Sequence, residues 1–168
     1  AVKMGRGRIK ELAEAAKSLG MKKPLLITDR GLSTMVITQT ALDVLEEAGL
    51  GRAMFADVDP NPNEINLEAG IKAFRDGGHD GVVAFGGGSG LDLGKCVAFM
   101  VGQTRPVWAF EDTGDWSTRA SAAGLAPPGP GPPTDGTGFG GRPASAIHHA
   151  QPQPNDANLT PRPPLALA

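Results

Sequence analysis

One run of the sequence, GVVAFGGGSGLDLGK, combines residue types that suit phosphate binding. Three consecutive glycines follow an apolar start, and glycine lets a chain turn sharply while bringing its amides close to a bulky anion. We expect Gly87, Gly88 and Ser89 to hold the pyrophosphate of a dinucleotide, with Ser89 capping the next helix and Asp92 completing a capping box. A plain strand-to-helix turn is the alternative, but such a turn needs only one glycine.

This run differs from two familiar nucleotide loops. It lacks the G-x-G-x-x-G spacing, and Lys95 falls too late and without a following Ser or Thr for a G-x-x-x-x-G-K-[ST] loop. A simple NTPase is therefore disfavoured. A stand-alone nucleotide-binding module or a small-molecule kinase stays open, since glycine-rich turns also bind ATP phosphates.

Apolar periodicity predicts the elements that position this run. Helical spacing and short apolar runs bounded by Gly, Pro and Asn alternate along the chain. The predicted helices cover 5–20, 34–48, 63–75 and a segment from Ser89, and the predicted strands cover 25–28, 53–58 and 81–85. This order indicates an α/β fold, a Rossmann-like parallel sheet with helices on both faces.

Polar residues follow each predicted strand. Asp29 follows the first strand, Asn61 follows the second, and the glycine turn follows the third. Parallel α/β sheets bind ligands beyond the carboxyl ends of their strands. We therefore expect three loops to converge on one edge of the sheet.

The amino-acid composition of the chain changes after about Ala120. Eleven of its fifteen prolines lie in 121–168, where charged residues are also scarce. Proline supplies no backbone donor to a helix or sheet. We therefore predict a dinucleotide-binding domain over 1–120 and an irregular, poorly packed Pro/Gly-rich tail over 121–168. A proline-rich ligand for aromatic grooves is the alternative for this tail.

Composition limits the classes of partner that the chain is expected to bind. The net charge is −2, tyrosine is absent and only two tryptophans occur, so nucleic acid is an unsuitable partner. A single cysteine, Cys96, excludes an intramolecular disulfide and a cysteine-cluster metal site, and is expected to be a small buried residue. No 18-residue apolar run or signal sequence is present, which predicts a cytoplasmic protein without a membrane partner. Homo-oligomer formation stays open.

The pattern GGGS-x-x-D-x-G-K resembles the GGGS-x-x-D-x-A-K signature of the iron-containing (group III) alcohol dehydrogenases. The resemblance extends from Ile9 to about Arg119 and includes LLITDRGL, DPNPNE and FEDTGDW. It implies the nucleotide-binding part of an enzyme that interconverts small alcohols and aldehydes by metal-assisted hydride transfer with NAD.

The resemblance assigns the adenosine half of the cofactor to two loops. Asp29 would accept hydrogen bonds from the adenosine ribose, which favours NAD because a carboxylate repels a 2′-phosphate. Asn61 would lie beside the same half. The alternative for each is a turn residue that satisfies its own loop.

The resemblance also places the rest of the cofactor. The pyrophosphate would lie on Gly87, Gly88 and Ser89, while Asp92 and Lys95 would line the nicotinamide end. Lys95 has an equal alternative as a solvated surface charge.

A further cofactor loop of this family, P-T-T-A-G-T-G-S-E, matches P-T-D-G-T-G-F-G here, so Thr134 and Thr137 are expected cofactor contacts. GRPASAIHH and TPRPPLALA resemble eroded versions of the strands that follow in the family. A frameshift, a sequencing error or a decayed gene would each explain the sequence of these two segments.

The resemblance also implies that iron or zinc is held by an Asp and three His in a helical domain, which would lie beyond residue 168. His148 and His149 are adjacent, lack a carboxylate at helical spacing and make a poor metal site, and His79 is expected in an exposed loop. No metal ligand or catalytic residue is therefore assigned. The hypothesis is a truncated dehydrogenase that binds NAD without catalysing the reaction.

Overall fold

The computed structural model describes residues 7–110, 146–147 and 165–166. The strands are β1 (Pro24–Ile27), β2 (Met54–Phe55), β3 (Gly81–Ala84), β4 (Ala146–Ile147) and β5 (Leu165–Ala166). The α-helices are α1 (Leu12–Ser18), α2 (Arg30–Ser33), α3 (Val36–Glu47), α4 (Glu64–Asp76) and α5 (Gly88–Met100). Two 3-10 helices cover Arg8–Glu11 and Val107–Phe110.

Three strands form a parallel sheet in the order β2-β1-β3. Leu26 of the central strand is in register with Met54 on one side and Val83 on the other. All three carboxyl ends therefore face the same edge, which confirms the predicted α/β arrangement. β4 and β5 pair with each other in an antiparallel ladder, and they fall within the two segments that resemble eroded strands.

The core lies on both faces of this sheet because side chains alternate along a strand. Leu25, Ile27 and Val82 pack with residues of α4 and α5 on one face. Leu26 and Val83 pack with residues of α1 and α3 on the other. Helices thus cover both faces, as predicted.

Several boundaries differ from the predictions. The second strand keeps only two residues in the ladder, since the chain turns where the N–H of Val58 donates to the carbonyl of Ala56 at 2.9 Å. The short helix α2 was not predicted. Gly20, the last residue of the helix predicted over 5–20, follows the end of α1 at φ +82°, and the N–H of Met21 donates back to the Ala16 carbonyl.

The tail prediction falls largely outside the described residues, so the division at about residue 120 stays a prediction. Among the residues that the structure does describe, no helix has the length and apolar character needed to cross a bilayer.

Candidate functional site

The glycine turn connects β3 to α5. Gly86 has φ +135°, and a Cβ there would lie 3.0 Å from Leu32 Cδ1 and 3.3 Å from Asp29 Oδ2. The fold thus requires glycine at this position. Gly87 and Gly88 have no such constraint, since a Cβ at either would meet no described atom within 4 Å. Their missing side chains leave open space in front of the first turn of α5.

The expected cap by Ser89 is wrong. α5 begins at Gly88 with Gly87 as its N-cap, so Ser89 already lies inside the helix. Its hydroxyl donates instead to the Pro60 carbonyl at 2.6 Å. Asp92 is buried within the helix and cannot complete a capping box with a serine that is not the cap.

The Ser89 contact joins the loop after β2 to the glycine turn. Asn61 is exposed in this loop, next to Pro60. Asn63, the first residue of the helix predicted over 63–75, caps α4: its Oδ1 accepts from the N–H of Ile65 at 2.9 Å and of Asn66 at 3.2 Å. The Asn66 side chain completes the box by accepting from the Asn63 N–H at 3.1 Å. The loop is therefore fixed at both ends.

Asp29 fills one of the two roles that the sequence left open, that of a turn residue, while the ribose contact remains a prediction. Its Oδ1 accepts from the N–H of Leu32 at 2.9 Å, so the carboxylate caps α2. Its Oδ2 lies on the side of Gly86. The side chain is only partly buried. One oxygen thus serves the local turn while the carboxylate remains at the edge where the loops meet.

Arg30 links the loop after β1 to the loop after β2. Its Nε donates to Asp57 Oδ1 at 3.0 Å, and its Nη1 donates to Asp59 Oδ1 at 2.9 Å. Nη2 also contacts Asp57. The hydrogen bond to Asp57, followed by the attraction of both carboxylates, raises the pKa of Arg30 above its ordinary value. We call this group the Arg30 cluster.

The body of α5 carries the remaining predicted residues. Burial lowers the pKa of Lys95, although the charge of Asp92 opposes the shift. A fully solvated surface lysine would not show this effect. Cys96 is fully buried, as predicted. The placement of Asp92 and Lys95 at the nicotinamide end remains a prediction.

Two features of the site escaped sequence analysis. Thr28 Oγ1 is fully buried behind the glycine turn and has no hydrogen-bond partner within the described part of the chain. Gly90 approaches the backbone so closely that a Cβ there would lie 3.0 Å from the Phe85 carbonyl oxygen. The further glycine directly after GGGS was the available signal for this packing. No local sequence pattern indicated the Arg30 cluster, because Arg30 and its partners are distant in sequence.

The remaining predictions concern threonine and histidine. Thr134, Thr137, His148 and His149 lie outside the described residues. His79 is partly buried rather than exposed, and its Nδ1 lies 3.0 Å from the Lys23 carbonyl oxygen. Within residues 7–110 no group of three His, Cys, Asp or Glu side chains is placed to hold a metal ion.

Comparison with known proteins supplies the context for this geometry. A family model described as iron-containing alcohol dehydrogenase matches residues 1–158. The chain is 40% identical over 108 residues to a 1,3-propanediol dehydrogenase of Citrobacter freundii, covering 63% of this chain and 28% of the relative. It is 35% identical over 96 residues to alcohol dehydrogenase 4 of Saccharomyces cerevisiae strain YJM789, covering 57% of this chain and 25% of the relative.

The fold has solved counterparts as well. A crystal structure of a 1,3-propanediol oxidoreductase aligns with a TM-score of 0.78 and 29% identity, covering 87% of this chain and 37% of that one. An archaeal alcohol dehydrogenase from a Red Sea brine pool aligns with a TM-score of 0.75 and 28% identity, covering 85% of this chain and 37% of that one. The chain spans about a quarter of the length of the curated relatives it matches.

Proposed function

We propose, since this chain belongs to the iron-containing alcohol dehydrogenase family, that residues 7–110 form the NAD-binding portion of such an enzyme. In the complete enzyme this portion would serve oxidation of a small alcohol or reduction of the aldehyde. Bound nicotinamide would supply hydride transfer. The protein's own contribution would be to bind and orient the dinucleotide at the carboxyl edge of the sheet.

The observation that carries this proposal is the glycine identity of residues 87 and 88. Backbone geometry requires glycine at 86 but leaves room for a side chain at the next two positions. A ligand that must approach the first-turn amides of α5 explains their absence. Those amides, together with the positive end of the helix dipole, suit a pyrophosphate.

The adenosine half would lie between the loops after β1 and β2. Asp29 would accept from the ribose hydroxyls, while its Oδ1 keeps the Leu32 N–H. A carboxylate is suited to a free 2′-hydroxyl and repels a 2′-phosphate. Asn61 is exposed in the adjacent loop and would border this half. The position of the Asp29 carboxylate beside the glycine turn supports NAD as the cofactor.

The described residues suit the dinucleotide but not the family metal. The amides and carboxylate above match a pyrophosphate and a ribose, whereas residues 7–110 contain no three-ligand cluster for iron or zinc. We expect the 168-residue chain to bind NADH without oxidising alcohols.

Calorimetric titration of the full chain with NADH and with ATP tests the proposal. NADH should bind with one-to-one stoichiometry and ATP much more weakly, because ATP lacks the nicotinamide half. Preferred binding of ATP would instead favour a kinase or a general nucleotide-binding module. A parallel assay with a primary alcohol, NAD and ferrous iron or zinc should show no NADH formation, and sustained turnover would contradict the expected lack of catalysis.

A further inference from the structure

The Arg30 cluster lies at the proposed ribose site but has no role in the function proposed above. Arg30 directly follows Asp29, and its partners Asp57 and Asp59 follow β2. β1 and β2 are adjacent and parallel, so both loops leave the same edge of the sheet. The cluster therefore borders the place where an adenosine ribose would lie.

A guanidinium in this place has a specific chemical consequence. Arginine binds phosphate groups through its planar set of N–H donors, and an arginine near the ribose is a common way to accept the 2′-phosphate of NADP. In this chain, donors from the whole guanidinium fork are directed to Asp57 and Asp59. The group that would attract a 2′-phosphate is thus engaged and neutralised by its neighbours.

The net charge at this edge of the sheet also disfavours a 2′-phosphate. With Asp29, this edge holds three carboxylates and the Arg30 guanidinium, whose partners are Asp57 and Asp59. A dianionic 2′-phosphate would meet a net negative surface and would have to displace a carboxylate to reach Arg30. A free 2′-hydroxyl carries no charge and meets neither obstacle.

We propose that Asp57 and Asp59 are specificity-determining residues that exclude NADP by holding Arg30 in ion pairs. This inference rests on the proposed NAD-binding function. The ion pairs themselves contribute little to folding, because Arg30 and Asp57 side chains are 62% and 60% exposed. Their removal therefore leaves the fold intact and allows cofactor choice to be measured alone.

The test compares NADH and NADPH binding by calorimetry on the full chain. The wild-type chain should prefer NADH. In D57N/D59N the affinity for NADPH should rise by about tenfold, because Arg30 is released to bind the 2′-phosphate, while the affinity for NADH changes little. Adding Arg30→Met to this variant should remove the gain. D43N/E46Q, which removes the exposed ion pairs of Arg52, is the matched control and should leave both affinities unchanged.

Each departure from this pattern has a distinct meaning. A wild-type chain that binds neither dinucleotide overturns the proposed function and the inference with it. Equal binding of both cofactors by the wild type, or no NADPH gain in D57N/D59N, overturns the inference alone. A gain that persists after Arg30→Met also overturns it, since relief of repulsion would then explain the result without the arginine.

Discussion

Helices α4 and α5 both follow strands of the sheet, yet their first turns are built in opposite ways. α4 begins at a complete capping box, in which Asn63 and Asn66 satisfy each other's backbone donors. α5 begins at Gly88, and its N-cap residue, Gly87, provides no side-chain cap. Side chains cap the start of α4, whereas the start of α5 consists of glycines that have no side chains.

Under the proposed function, this difference would separate a structural helix terminus from one that binds the cofactor. The first-turn amides of a helix lack partners within the helix, and they need a side chain, water or ligand. At α4 a side chain meets this need, so the terminus contributes stability. At α5 the N-cap residue Gly87 offers no side-chain cap, and under the proposed function the pyrophosphate would meet this need, so the terminus would contribute affinity. Substitutions at the two sites should therefore have different consequences.

The largest effect is expected from Gly88→Asp. A carboxylate at the first residue of α5 would occupy the proposed pyrophosphate position and repel it, lowering NADH affinity by about 100-fold. The same carboxylate favours the helix dipole, so stability should hold or rise by about 0.3–1 kcal/mol. Calorimetry and urea denaturation measure the two quantities.

Val36→Asp provides the matched control for that variant. Val36 is the first residue of α3 and its side chain is 82% exposed, so the substitution places the same charge at another helix start. NADH affinity should be unchanged. Equal losses in both variants would mean that added negative charge, rather than the α5 terminus, controls binding.

Asn63→Ala should have the reverse profile. Loss of the N-cap leaves the Ile65 and Asn66 N–H groups without their acceptor, which should lower the unfolding free energy by about 1–2 kcal/mol. Asn63→Asp retains an acceptor and should remain within a few tenths of a kcal/mol of wild type. Urea denaturation of both variants decides the matter; equal stability of the alanine and aspartate variants would refute the role of the capping box.

Ser89→Ala tests the hydrogen bond that connects the first turn of α5 to the loop before α4. Removing the hydroxyl loses the hydrogen bond to the Pro60 carbonyl and should lower stability by about 0.5–1.5 kcal/mol. Amide exchange in 56–63 should also accelerate, because that loop loses its attachment to α5. Ser18→Ala removes a hydrogen bond to Ala15, three residues away, and should leave exchange in 56–63 unaltered.

The smallest effect concerns Lys95 in the body of α5. Burial lowers its pKa in the folded chain below the ordinary 10.5. Between these two pKa values the unfolded chain binds more protons, so this lysine makes stability rise with pH in that window. Lys95→Met should therefore stabilise the chain at neutral pH, with an advantage that shrinks as the window is crossed. Denaturation midpoints measured at several alkaline pH values check this; a constant difference would contradict it.

Much of the fold was predictable because its signals are local. Runs such as Leu25–Ile27, bounded by Pro24 and Asp29, identify strands from apolar content and breakers alone. Asn63 and Gly20 mark helix ends because a cap and a left-handed stop depend on neighbouring residues. The helix α2 was missed since four residues provide too little periodicity to detect.

The candidate site likewise has some features that the local sequence determines and others that depend on the tertiary structure. The sequence by itself determined that an acidic residue, a turn asparagine and a glycine run end three parallel strands, because strand periodicity and breakers are local properties. Only the tertiary structure decided that Ser89 binds the Pro60 carbonyl instead of capping α5, and that Arg30 is held by Asp57 and Asp59. These partners are separated by 27 to 29 residues. Their pairing depends on which strands lie side by side, and no local pattern encodes that order.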